Sequence, residues 1–158
     1  MPSTALITVI PHALLFTRAG VGVVLKEENA EKKAVIFISH PAGAELEAVY
    51  QGVYSERPST TSLLADCLVG MDAALSSIVI HSQEEEIYKV LLRVKVKNEL
   101  VQKIVELDAR PSDAFLLAAK TKCPIKVKAS LWTEMEDIGE QLSKIQSESV
   151  DAAPPVYL

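Results

Sequence analysis

The sequence predicts an α+β domain made of two repeated units, each with three mostly antiparallel strands followed by a helix, the helices covering the sheet. Three observations carry that expectation. Period-two alternation with β-branched residues recurs in six segments, and helical periodicity follows each set of three. In addition, Val35-Ile36-Phe37-Ile38-Ser39-His40-Pro41 lies over Val105-Glu106-Leu107-Asp108-Ala109-Arg110-Pro111 at an offset of 70. With 158 residues, 49% of them hydrophobic and 23% charged, the chain has material for one core, and wholesale disorder is excluded. A single domain is expected over 1–146, duplicated at about 1–72 and 73–146, with 147–158 as a disordered tail around Pro154-Pro155.

In the first unit, alternation places strands at Ala5–Ile10, Val21–Leu25 and Ala34–Ser39, the last two joined by a polar turn over Lys26–Lys33. Helices are expected over Ala42–Gln51 and Ser59–Met71, each preceded by proline. The second unit reads as strands Ser77–His81, Ile87–Val96 and Leu100–Asp108, then a helix over Ser112–Thr121. A strand at Pro124–Lys128 and one long helix over Ser130–Gln146 follow. In that helix Leu131, Met135, Ile138, Leu142 and Ile145 recur at steps of four and three, while Gly139 weakens it by up to about 1 kcal/mol relative to alanine.

Net charge is −5, so the chain as a whole is no generic polycation. The stretch from Glu86 to Lys128 nevertheless holds ten basic against five acidic residues. Within it, alternation puts Val90, Leu92, Val94 and Val96 on one strand face and Lys89, Leu91, Arg93, Lys95 and Lys97 on the other. Such a stripe is either a solvated edge guarded by lysine or a track for a phosphate backbone. Of the eight aromatic residues Tyr88 alone lies near it, which argues against a base-stacking platform. Cys67 and Cys123 lack metal-ligand spacing and read as reduced cytoplasmic thiols. No run approaches a membrane-spanning length, and the apolar Ala5–Phe16 segment lacks the basic start of a secretory signal.

The densest polar cluster, Glu106-Leu107-Asp108-Ala109-Arg110-Pro111-Ser112-Asp113-Ala114, ends a strand and opens an apolar helix. Ser112 is placed to cap that helix, and Asp113 sits in its first turn, where the macrodipole favours a carboxylate. Carboxylates and a guanidinium beside free backbone amides are also the ingredients for holding a divalent metal and a phosphate. Arg57-Pro58-Ser59 repeats the device ahead of Leu63-Leu64, and His40-Pro41 with Glu45 and Glu47 forms a third junction. No P-loop, dinucleotide fingerprint, zinc pattern or nucleophile elbow is present.

The Asp108-Ala109-Arg110-Pro111-Ser112-Asp113-Ala114 run resembles the bifunctional nuclease family. The likeness continues through Leu116-Leu117-Ala118 and Pro124-Ile125, and extends to Val23–Glu27, Ile36–Ile38, Glu45–Val49 and Arg57-Pro58. It implies a duplicated α+β fold, cleavage of DNA and RNA without marked sequence preference, and a homo-oligomer, with a dimer favoured. From the carboxylate cluster within that motif, Asp108, Arg110 and Asp113 are the expected catalytic residues; the Arg-Pro-Ser junctions and the basic stripe make Arg57, Ser112, Lys89, Arg93 and Lys95 the expected substrate-binding residues. A divalent ion, Mg²⁺ or Mn²⁺, is expected on Asp108, Asp113 and either Glu45 or Glu106. The chain departs from the family in two places: Ser59-Thr60-Thr61-Ser62 stands where a Thr-His-Asp-like stretch is usual, and three extra residues lie around His40–Gly43. These departures support an alternative, a noncatalytic oligomeric or nucleic-acid-binding module.

Overall fold

The computed structural model describes residues 4–148 and 153–158. Its first half runs β1 (Leu6–Phe16), β2 (Val21–Glu27), β3 (Lys33–Ile38), α1 (His40–Tyr50) and α2 (Thr60–Gly70). The second runs β4 (Ala73–Glu84), β5 (Ile87–Lys97), β6 (Gln102–Ala109) and α3 (Pro111–Thr121). There follow β7 (Ile125–Lys128), α4 (Ala129–Glu134), α5 (Gly139–Glu148) and β8 (Val156–Tyr157). All eight strands join one sheet in the order β3-β2-β1-β7-β4-β5-β6, with β8 paired to β1. The expected α+β class, with two three-stranded units each followed by helix, is the observed one.

Each half is an antiparallel meander, and β7 lies between them, antiparallel to β1 and parallel to β4. β1 is longer than expected because it passes through Pro11, which has no amide to give the ladder; the register slips between Pro11 and Ala13. The slip sends both Val9 and Leu14 to the main core while Ala13 turns to the other side of the sheet. The main core also holds Val21, Val23, Leu25, Ile78, Ile80, Val90 and Leu92 beneath α3, whose Ala114–Ala118 are all buried. On the opposite face, Leu142 of α5 packs with Ala13 and Val24, so a helix covers that side of the first meander.

Two expectations are corrected. The single helix over Ser130–Gln146 is two helices, because Met135 is extended and the intervening backbone finds tertiary partners. There the Ile138 amide donates to Lys33 O at 2.9 Å, while the Asp137 carboxylate accepts the Lys33 and Gly139 amides at 3.2 and 2.9 Å. Within 147–158, expected as a disordered tail, regular elements are present at both described ends. α5 continues to Glu148, and Val156–Tyr157 pairs with Ala13 and Leu14 on the edge of β1 that β2 leaves open. Tyr157 also sets its ring edge-on to His12 at 5.4 Å. Residues 149–152 of that expectation lie outside the described residues. Among the described residues no helix is long and apolar enough to cross a membrane.

Candidate nucleic-acid interface and catalytic junction

β6 delivers the polar cluster as the edge strand of the sheet, and both of its faces are largely open: Leu107 and Ile104 are exposed as well as Glu106 and Asp108. The strand stops at Ala109, and Arg110, in extended geometry (φ −70°, ψ 148°), is the N-cap of α3. Proline at the first helical position presets that geometry. The expected Ser112 cap is therefore corrected: Pro111 starts the helix one residue earlier, and no side chain caps it. Asp113 does lie in the first turn.

Arg110 and Asp113 occupy each other. The Arg110 Nε donates to Asp113 Oδ2 at 2.8 Å and Nη2 donates to Oδ1 at 3.2 Å, a two-pronged pair that raises the guanidinium's already high pKa. The arginine side chain is 79% exposed, so this pair is held by no more than an ordinary surface bridge. Asp108, exposed and opposite Leu91, has no side-chain hydrogen bond or ion pair among the described residues.

The alternation in β5 is as expected. Val90, Leu92 and Val94 are buried toward the helices, and Lys89, Leu91, Arg93, Lys95 and Lys97 lie on the other face. There they meet Asp108, Glu106, Ile104 and Gln102 of β6 in register. Arg93 pairs with Glu106 at 2.9 Å and Lys89 with Glu84 at 2.7 Å. Two of the stripe's cations are thus neutralised, whereas Lys95 and Lys97 form no ion pair among the described residues. Lys126 and Lys128 of β7, which the sequence analysis does not connect with the stripe, join this face. Because Ile125 and Val127 point into the core, the two lysines of β7 face the same way as the stripe. The Ile-Lys-Val-Lys alternation was the available signal.

A second cluster lies on the helix side. Lys120 Nζ donates to Ser62 Oγ at 2.7 Å and pairs with Glu45 Oε1 at 3.1 Å, and Ser59 Oγ donates to the same Glu45 oxygen at 2.6 Å. These contacts tie α1, α2 and α3 together. Arg57 lies exposed on the loop before α2 and joins neither cluster by hydrogen bond or ion pair. His40 reaches the Thr17 carbonyl at 2.6 Å and Glu47 accepts from Gln51 at 3.0 Å, so the third junction is occupied by local bonds.

Burial alone would raise the Glu45 carboxyl, but the Ser59 hydroxyl and the Lys120 ammonium outweigh it and hold the group below its ordinary 4.5. A carboxyl depressed by folding contributes stability above its ordinary value, and that contribution is lost as pH falls through the lower folded value. Glu45→Gln is therefore expected to unfold more easily than the parent at neutral pH, with the gap closing below about 4.5. Urea midpoints measured across that range check this, and a constant gap would contradict it.

Asp113 and Lys120 stand seven residues apart on α3, roughly 10 Å along the axis, and Glu45 is bonded at the Lys120 end. Oxygen ligands of one ion must all approach within about 2.6 Å of it. Among the described residues no three His, Cys, Asp or Glu side chains gather in that way. The expected cage of Asp108, Asp113 and Glu45 or Glu106 does not fit these positions. A concavity of about 300 Å³ lies elsewhere, lined by Ile10, Pro11, Tyr50, Ala119, Lys122 and Cys123 at the far end of α3. Burial pushes the Tyr50 hydroxyl up to about 12 and raises the Cys123 thiol, so both stay protonated at neutral pH.

A family model described as bifunctional nuclease domain matches residues 23–138. Two uncharacterized proteins from two strains of Mycobacterium tuberculosis are each 26% identical to the chain over 110 residues. The aligned region covers 69% of this chain and 62% of theirs, so the chain spans less than two thirds of the length of these relatives.

Proposed function

Because the chain belongs to the bifunctional nuclease domain family, we propose that it hydrolyses phosphodiester bonds in DNA and RNA without marked sequence preference. The family match over residues 23–138 carries this reading. The substrate backbone lies along the face formed by Lys89, Arg93, Lys95 and Lys97, whose cations replace counterions on successive phosphates. Asp108, without a side-chain partner among the described residues and at the edge of that face, accepts the proton of the water whose oxygen bonds to phosphorus, and the ester oxygen that departs takes its proton from solvent. Arg110 exchanges Asp113 for a phosphate, since an exposed pair worth about 0–1 kcal/mol is readily traded for a bidentate phosphate contact. Asp113 holds the guanidinium in place until then, and the first-turn amides at Ser112 and Asp113 point at the same anion. Arg57 would bind substrate independently, beside α2. No step is assigned to a divalent ion. The free thiols of Cys67 and Cys123 suit a reducing compartment, and we place the protein in the cytoplasm.

The test is cleavage of single- and double-stranded DNA and RNA by extensively purified protein with Mg²⁺, with Mn²⁺ and with chelator. Asp108→Asn, Arg110→Ala and the Asp108→Ala/Asp113→Ala double variant are purified in parallel. Asp108→Asn is expected to lose at least about 100-fold in rate, the contribution of a positioned proton acceptor. Equal cleavage by parent and variants would overturn the site. The second reading, a noncatalytic binding module, is favoured by the mutual occupancy of Arg110 and Asp113 and by Ser59–Ser62 standing in for a His-Asp pair. It predicts no turnover by the parent and salt-sensitive binding that weakens in Lys95→Glu.

A further inference from the structure

We propose that Lys126 and Lys128 of β7 form a second phosphate-binding row beside that of β5, and that the two rows hold the two backbones of double-stranded DNA. The inference rests on the nucleic-acid reading above and names the form of substrate that its face takes. One line of residues crosses the sheet in register: Thr8, Lys126, Val79, Leu91 and Asp108. Paired residues share a face, so Lys126 stands on the Asp108 side, separated from the Lys89–Lys97 stripe by β4 alone. Lys128 keeps that side and stands toward the Lys89 end, because Val127 pairs with Ile80 while Ser82 pairs with Lys89. Neither lysine forms an ion pair among the described residues. Between the rows β4 presents Ser77 and Val79, uncharged and only 5% and 3% exposed. α3 packs on the other face of the sheet, and α5 covers Ala13 and Val24 of the first meander instead. The result is a recessed, neutral floor with a line of cations on either side.

Neighbouring strands lie about 4.8 Å apart, so the rows of β7 and β5 are about 10 Å apart. A B-form minor groove is about 6 Å wide between its phosphate walls, and the thickness of the walls brings its two backbones to nearly the spacing of the rows. Each row then neutralises one backbone. The recessed floor reaches no base edge, in keeping with cleavage that ignores sequence. A single strand would occupy one row alone and draws its remaining affinity from aromatic platforms under its bases. In β4, β5, β6 and β7 the one Phe, Tyr or Trp is Tyr88, and it packs against the core on the other face. The duplex is the form that uses both rows.

Binding in the presence of chelator tests this, read by the fluorescence anisotropy of a short labelled DNA duplex, and of one of its strands alone, over a range of salt concentrations. Lys126→Gln/Lys128→Gln keeps most of both side-chain stems. It is expected to make the dependence of log K on log salt shallower by about 2 for the duplex, about one unit per lost phosphate contact, and to leave the single-strand dependence unchanged. Lys95→Gln/Lys97→Gln is expected to make both shallower. A β7 variant that binds the duplex with the parent's salt dependence, or that changes equally on both probes, overturns the inference, and so does a parent that binds no duplex. Restoring Mg²⁺ or Mn²⁺ separates this result from the hydrolysis. A parent that binds through both rows and then cuts nothing keeps the inference and loses the proposed activity; a parent that cuts while the β7 variant binds as it does loses the inference alone.

Discussion

Replacing Phe115 by alanine is expected to remove about 3–5 kcal/mol of stability, the range for emptying a fully enclosed aromatic site. Phe115 is 2% exposed, one of the largest buried side chains among the described residues. It sits on α3, which has the sheet on one side and α1 and α2 on another, so five consecutive residues, Ala114–Ala118, are buried rather than one stripe. Neighbours held by strands on one side and by the Glu45–Lys120 tie on the other have little freedom to collapse into the void. Guanidinium unfolding should show a lower midpoint with an unchanged slope. Phe115→Leu, which keeps most of the volume, should cost well under half as much. A loss below about 1 kcal/mol for Phe115→Ala would mean the site closes freely, contrary to this packing.

The second large effect is expected at Gly43. A Cβ there would lie 2.4, 2.6 and 2.8 Å from the Cγ2, Cβ and Cγ1 atoms of Val21. Val21 is fully buried on β2, so neither partner can swing into solvent. The glycine is required by the closeness of helix to strand; its backbone is helical and unstrained. Gly43→Ala is expected to cost about 3 kcal/mol, the upper part of the overpacking range. Val21→Ala removes the two Cγ contacts but keeps the Cβ at 2.6 Å, so the Val21→Ala/Gly43→Ala pair should be more stable than the sum of its single effects by only about 0.5–1 kcal/mol, at the low end of the range for contacting residues. Strict additivity in thermal or denaturant unfolding would contradict the contact.

The alternation of Lys89 to Val96 was readable because a strand's two faces depend only on parity, and the structure keeps that parity through the whole of β5. Arg110 and Asp113 were readable as a pair because three residues across a helix start place them side by side. The Glu45–Lys120 tie was hidden, since nothing local in either segment says that α1 and α3 pack together. The break between α4 and α5 was hidden for the same reason. The apolar spacing from Leu131 to Ile145 fits one helix, and only the backbone of Lys33, a hundred residues earlier, competes for Asp137 and Ile138. The Ser112 cap failed on a local rule that was available: proline at position 111 already fixes where the helix begins.

The placement of β7 has a consequence for synthesis. Each meander is made of neighbouring segments and can close as soon as it emerges, because its loops are short. β7 joins Leu6–Val9 to Ile78–Ile80, and it is translated after both. A nascent chain that has not reached Ile125 therefore holds two small sheets with the facing edges of β1 and β4 unpaired, and such edges recruit other strands. The interval between translating Ala109 and translating Lys128 is the chain's period of greatest exposure to mispairing, and it ends when four residues close the sheet.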